Sequence, residues 1–204
     1  MKIFLAILIT LAPFAAPSGY SQNLFVYDQQ STNLIEGGVH LLAQFQPAGQ
    51  SFQPTFNSVG FVELQLYDSD ISSNSGAFMF VNLRSNSITG PILGTTASVF
   101  LSNNFFGVTN FLFPTPIAVT PGVTYFLQPE IQSGDSVTAY VTDSYPNGTA
   151  IILGIPDSNN RDLWFREGIV VPEPSSACLA LVGAGLLFGW WWVRSRRRGA
   201  TVRA

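Results

Sequence analysis

Cysteine is almost missing from this chain of 204 residues: Cys178 is the only one, so no disulfide can form within it. Whatever folds must be held by packing, and Cys178, set in an apolar run, reads as a small apolar helix residue. Histidine also occurs once, at His40, which excludes a metal site built on paired histidines. No Gly-x-Ser-x-Gly elbow accompanies His40, so a serine triad has no support, and His40 reads as a strand residue. Gly37-Gly38 lacks the Gly and Lys spacing of a phosphate-cradling loop. Charge is scarce as well, at 10% of residues against roughly 25% in ordinary soluble domains. Between Ser21 and Val171 eleven acids stand against three arginines (Arg84, Arg161 and Arg166), a net of −8. A body with so little cationic surface cannot hold phosphate backbones, which argues against nucleic acid as a partner.

A sustained helical stripe is absent between Ser21 and Val171, and period-two alternation takes its place. Val62, Leu64 and Leu66 alternate with Glu63 and Gln65; Ala77, Met79, Val81 and Leu83 form a second series. Val123, Tyr125 and Leu127 stand opposite Thr124 and Gln128, and Val137, Ala139 and Val141 opposite Thr138, Tyr140 and Thr142. Such alternation of β-branched and aromatic residues marks half-buried strands. Gly90-Pro91, Thr120-Pro121-Gly122, Ser133-Gly134-Asp135 and Pro146-Asn147-Gly148 supply turns between them. About nine or ten short strands are expected, in an all-β antiparallel sandwich of jelly-roll type, with a barrel as the alternative.

Candidate chemistry in this body is sparse. Glycoside hydrolysis needs two carboxylates about 5–10 Å apart across a cleft. Glu63, Glu130, Asp143 and Asp162 lie in or near strands, but no spacing selects a pair, so no catalytic residue is assigned. Asp68-Ser69-Asp70 could place alternating oxygens around a structural calcium ion. No Glu or Gly stands where an EF-hand loop needs them, so Asp68 and Asp70 are candidates beside the simpler reading of a solvated loop. No other cofactor is expected. Trp164 and Arg166 share one face of a strand and are the candidate ligand contact, by stacking on a sugar ring; the alternative is that Trp164 closes the core.

The two ends read differently. Residues 1–21 have the form of a secretory signal peptide: Lys2, an apolar stretch from Ile3 to Ala12, then Pro13 and Pro17 before small residues. At the other end Val171-Pro172-Glu173-Pro174 precedes an apolar run, 177–193, closing with Trp190, Trp191 and Trp192. Arg194, Arg196, Arg197 and Arg198 follow. As a helix the run would reach ~26 Å, slightly less than a ~30 Å hydrocarbon core, and the arginines would stay in the cytoplasm. Pro172 and Pro174 hold the preceding segment extended.

This tripartite tail resembles the PEP-CTERM sorting signal of exopolysaccharide-producing Gram-negative bacteria. The resemblance implies export by the Sec machinery, recognition by an exosortase, and cleavage near Val171-Pro172-Glu173-Pro174. The chain would be that enzyme's substrate and not itself an enzyme. A second resemblance runs from Leu24 to Ile169. Gly49-Gln50-Ser51-Phe52, Val59 to Leu66, Phe78 to Arg84, Phe111 to Val119, Pro121 to Phe126 and Asp162 to Arg166 are similar to a β-sandwich module of anchored bacterial exoproteins. That module resembles carbohydrate-binding sandwiches in strand pattern.

The expected organisation is a signal peptide (1–21), an extracellular sandwich (22–170), a sorting motif (171–176), a transmembrane helix (177–193) and a basic tail (194–204). The expected function is that of an exported cell-surface or matrix protein, structural or adhesive, with extracellular polysaccharide as a candidate ligand. An exported glycoside hydrolase and a plain single-pass membrane protein are the alternatives.

Overall fold

The computed structural model describes residues 24–70, 72–142, 145–171, 183–187 and 190, with the backbone alone at 34–40. The signal segment 1–21, Pro172, Glu173, Pro174, Trp191, Trp192, Arg194, Arg196, Arg197 and Arg198 lie outside the described residues, as does most of the span 177–193. The chain divides into two compact units, Leu24–Val171 and a second made of Met1–Asn23 with Pro172–Ala204. In the second, the described residues 183–187 and Trp190 are helical, and Trp190 is 61% exposed. Among the described residues no helix is long and apolar enough to cross a membrane.

The unit Leu24–Val171 is all-β, with two antiparallel sheets. In the first sheet β1 (Leu24–Ser31) pairs with β14 (Phe165–Val171), which pairs with β4 (Ser58–Asp68). The other edge of β4 carries β8 (Phe106–Ala118). Past the end of β14, β4 pairs with β10 (Val137–Thr142), which holds β2 (Leu34–Leu41) and β13 (Asp162–Leu163). In the second sheet β9 (Tyr125–Gly134) lies between β3 (Gly49–Phe52) and β5 (Ala77–Ser85). Beyond β3 come β11 (Ala150–Ile152) and β12 (Ile155–Pro156); β6 (Ile92–Thr95) and β7 (Val99–Leu101) share the far edge of β5. Fourteen strands exceed the nine or ten expected because β6, β7, β11, β12 and β13 have only two to four residues each. That is too few for alternation to show.

The alternating series become the inner faces. Val62, Leu64 and Leu66 of β4 meet Met79, Val81 and Leu83 of β5 and Leu127 of β9 in one buried cluster. Each fully buried side chain of this kind contributes about 1.5–3 kcal/mol. A polar tie closes one end of the sandwich. Buried Gln50 on β3 donates to Asp162 Oδ1 at 2.8 Å and accepts from the Leu163 amide at 2.7 Å, joining the two sheets. Asp162 Oδ2 accepts from the Tyr145 amide at 2.9 Å.

The outer face of the first sheet is partly covered as well. Phe61, Gly168 and Tyr27 stand in register on β4, β14 and β1. The Phe61 and Tyr27 rings lean together across Gly168 to 5.6 Å, and Phe25 closes on Phe61 at 4.7 Å. Phe61 is thereby buried although it points away from the core.

Candidate functional site

The fold brings Trp164 and Arg166 together on the outer face of the first sheet. The Arg166 guanidinium lies 4.9 Å from the Trp164 ring and 5.1 Å from that of Tyr27, a double cation–π contact. Arg166 also donates to Glu63 Oε2 at 3.4 Å, while the Tyr27 hydroxyl donates to Glu63 Oε1 at 3.2 Å. Trp164 is only 6% exposed, and its indole N–H is given to the Thr32 carbonyl. Its ring therefore carries the guanidinium instead of presenting an open platform. Tyr27 is the exposed ring of this cluster, at 41%. Tyr27 and Glu63 had no local signal as partners of Arg166; they arrive through strand pairing.

Asp68 and Asp70 pin a loop. Buried Asp68 accepts from the Asp70 amide at 2.9 Å and, with its other oxygen, from the Asn104 amide at 2.9 Å. Asp70 accepts from the Ser72 hydroxyl and amide, bonds that hold its carboxyl below the ordinary value despite some desolvation. Among the described residues no three His, Cys, Asp or Glu side chains gather as metal ligands would.

Two grooves share Ser136, in the connection from β9 to β10, as a lining residue. The larger, of about 670 Å³, is lined by Gln46, Pro47, Gln128, Glu130, Ser133 and Asp135. Its polar side chains are already organised. Arg84 donates to Gln128 Oε1 and reaches Glu130 Oε1 at 3.7 Å, and Asn82 donates to the same oxygen at 2.8 Å. Gln128 in turn donates to Gln46 Oε1 at 3.4 Å, and Gln46 to the Pro129 carbonyl at 2.9 Å. The smaller groove, of about 530 Å³, is lined by Leu41, Phe45, Tyr67, Ser69, Asp70 and Thr138. Its aromatic wall is braced from behind, with Tyr67 at 5.4 Å from Tyr140 and Tyr140 at 5.8 Å from Phe106.

One pair of acids has the contrast in proton affinity that acid–base chemistry uses, and it is not among those singled out by sequence. Burial, and then the neighbouring Asp28 carboxylate, push Glu167 up to about 9. Desolvation also acts to raise Asp28, but bonds from the Phe56 and Thr55 amides, the Thr55 hydroxyl and Gln29 outweigh it and leave its carboxyl lowered. Glu167 has no exposed surface, so a substrate in solvent has no route to its proton. The arrangement is structural: a protonated acid beside an ionised one, where β1 bulges at Asp28 between Tyr27 and Gln29. Nearby Tyr145 is likewise pushed up to about 12, chiefly by burial.

Val171, the first residue of the expected sorting motif, is the last of β14 and pairs with Leu24 at the start of β1. Among curated proteins the chain finds no match by sequence. Residues 170–198 match the family model described as the PEP-CTERM protein-sorting motif, and the match begins inside β14, so that Val170 and Val171 belong to both the sheet and the signal. The chain therefore carries a PEP-CTERM sorting signal, the mark of an exported exosortase substrate with a cell-surface or extracellular destination.

Proposed function

We propose that this is a non-catalytic display protein. Its sandwich is delivered through the inner membrane of a Gram-negative cell by the Sec machinery, held there by the helix 177–193, cut free near Val171-Pro172-Glu173-Pro174, and left at the surface or in the matrix. There it serves a structural or adhesive role and holds extracellular polysaccharide. The observation that carries this reading is the sorting motif at 170–198, whose first two residues are the last of β14. The jelly-roll form is supported by strand order: β1-β14-β4-β8 in one sheet and β3-β9-β5-β6 in the other, as in two interlocked Greek keys. A binding role is supported by open grooves lined with amides and two aromatic rings. The reading needs no calcium, since both Asp68 oxygens already accept backbone amides.

Epitope tags placed before Leu24 and after Ala204 would test the delivery route. In a strain with an exosortase, the first tag should appear at the surface or in the medium on a product that has lost the second. A chain that keeps both tags in the inner membrane would instead be a plain single-pass protein.

A further inference from the structure

We infer that the two grooves sharing Ser136 form one cleft that holds a stretch of an uncharged, hydroxyl-rich polysaccharide chain. This rests on the polysaccharide reading above and adds where the chain lies and what charge it carries. Ser136 lines both grooves, so the path runs from β9 in the second sheet, over the connection, to β10 and β4 in the first. A site for a small molecule is concave and buries most of its ligand. A trough carried across the corner between two sheets suits a polymer that enters at one end and leaves at the other.

The walls specify the chemistry. Beyond their bonds within the protein, Gln46 and Gln128 each keep one amide hydrogen to donate and Gln128 Oε1 keeps one lone pair, enough to meet hydroxyls, which both donate and accept. The Tyr67 ring, braced by Tyr140, gives the smaller groove a flat apolar surface for the C–H face of a sugar. No Lys, Arg or His stands among the described residues that line either groove, and the body carries a net of −8, so a polyanion is repelled. Of the cleft's acids Glu130 is already paired with Arg84, while Asp135 and Asp70 keep their charge, so chitosan is the comparison that tests the assigned neutrality. Asp135 accepts from Ser73 and Ser75, Asp70 from Ser72, and Glu130 Oε1 from Asn82 and Arg84. These bonds also fix the side chains before any ligand arrives, which lowers the entropic cost of binding.

The test is affinity electrophoresis of the full chain in mild detergent, through gels containing a galactomannan, a β-glucan or a xylan, with alginate and chitosan for comparison. The wild-type chain should be retarded by at least one neutral polymer more strongly than by alginate or chitosan. Ser136→Lys, which obstructs the junction, and Tyr67→Ala and Gln46→Ala, one in each groove, should each weaken that retardation about fivefold or more. Thermal midpoints measured on the same samples separate lost binding from lost folding; Ser136→Lys, at a partly exposed connection, is the variant expected to keep its midpoint. Retardation unchanged in a folded Ser136→Lys chain would overturn the cleft while leaving polysaccharide binding intact. Preference for alginate or chitosan would overturn the assigned charge, and retardation by none of the five would remove both the cleft and the reading beneath it.

Discussion

Glu167 carries a carboxyl group that the folded chain keeps protonated at neutral pH. Burial first, and then the Asp28 carboxylate, set its folded value at about 9 against an ordinary 4.5. The unfolded chain gives up this proton across that window while the folded chain retains it. Its contribution to stability is therefore complete below pH about 4.5 and falls as pH rises, by of order 3 kcal/mol at pH 7. The melting temperature should decline from pH 5 to pH 9, and Glu167→Gln, which cannot ionise, should flatten that decline and raise the midpoint at pH 8. An unaltered slope in the variant would show that Glu167 is not the group responsible. Asp28 works in the other direction: its lowered value adds stability above the ordinary 3.8, lost as the pH falls through the folded value. Asp28→Ala would also leave the Thr55 and Phe56 amides without the carboxylate to which they donate, at a cost of about 1–2 kcal/mol, readable in urea unfolding at pH 7.

At the scale of elements, the seam between β1 and β14 depends on a residue with no side chain. A Cβ on Gly168 would lie 2.0 Å from the Val26 carbonyl oxygen and 3.0 Å from the Tyr27 Cα, both backbone atoms that cannot swing away. Gly168→Ala should push β1 off β14, costing about 1–3 kcal/mol. Amide exchange would rise along Leu24–Ser31 and stay slow in β5 and β9. If exchange rose equally in all three, the seam would not be a separate unit. The tie between the sheets is the second such test. Gln50→Ala removes one donor from the buried Asp162 carboxylate, which keeps the Tyr145 amide, and leaves the Leu163 amide without its acceptor; a loss of about 1–3 kcal/mol is expected in thermal or urea melts.

For the molecule as a whole, the core belongs to Leu24–Val171 and the address to the residues that follow. A chain ending at Val171 should fold with the thermal midpoint of the longer protein yet fail to be processed or reach the same destination. A midpoint lowered by more than about 5 °C, the shift that roughly 1.5–2 kcal/mol produces in a domain of this size, would mean that the tail also supports the fold.

The sorting signal was legible in sequence because it is linear: prolines, an apolar run and arginines act in the order in which they occur, with no need for distant partners. The strand faces of Val62–Leu66 and Ala77–Leu83 were legible for a related reason, since alternation is a local consequence of the pleat. Tertiary structure alone decided that Trp164 lies under Arg166, that Asp28 meets Glu167, and that two grooves share Ser136. Each depends on which strands lie side by side. Gln50 and Asp162, 112 positions apart, touch only because β3 and β13 close the same end of the sandwich. No local pattern encodes such a neighbour; it follows from the order in which two sheets bury their apolar faces against each other.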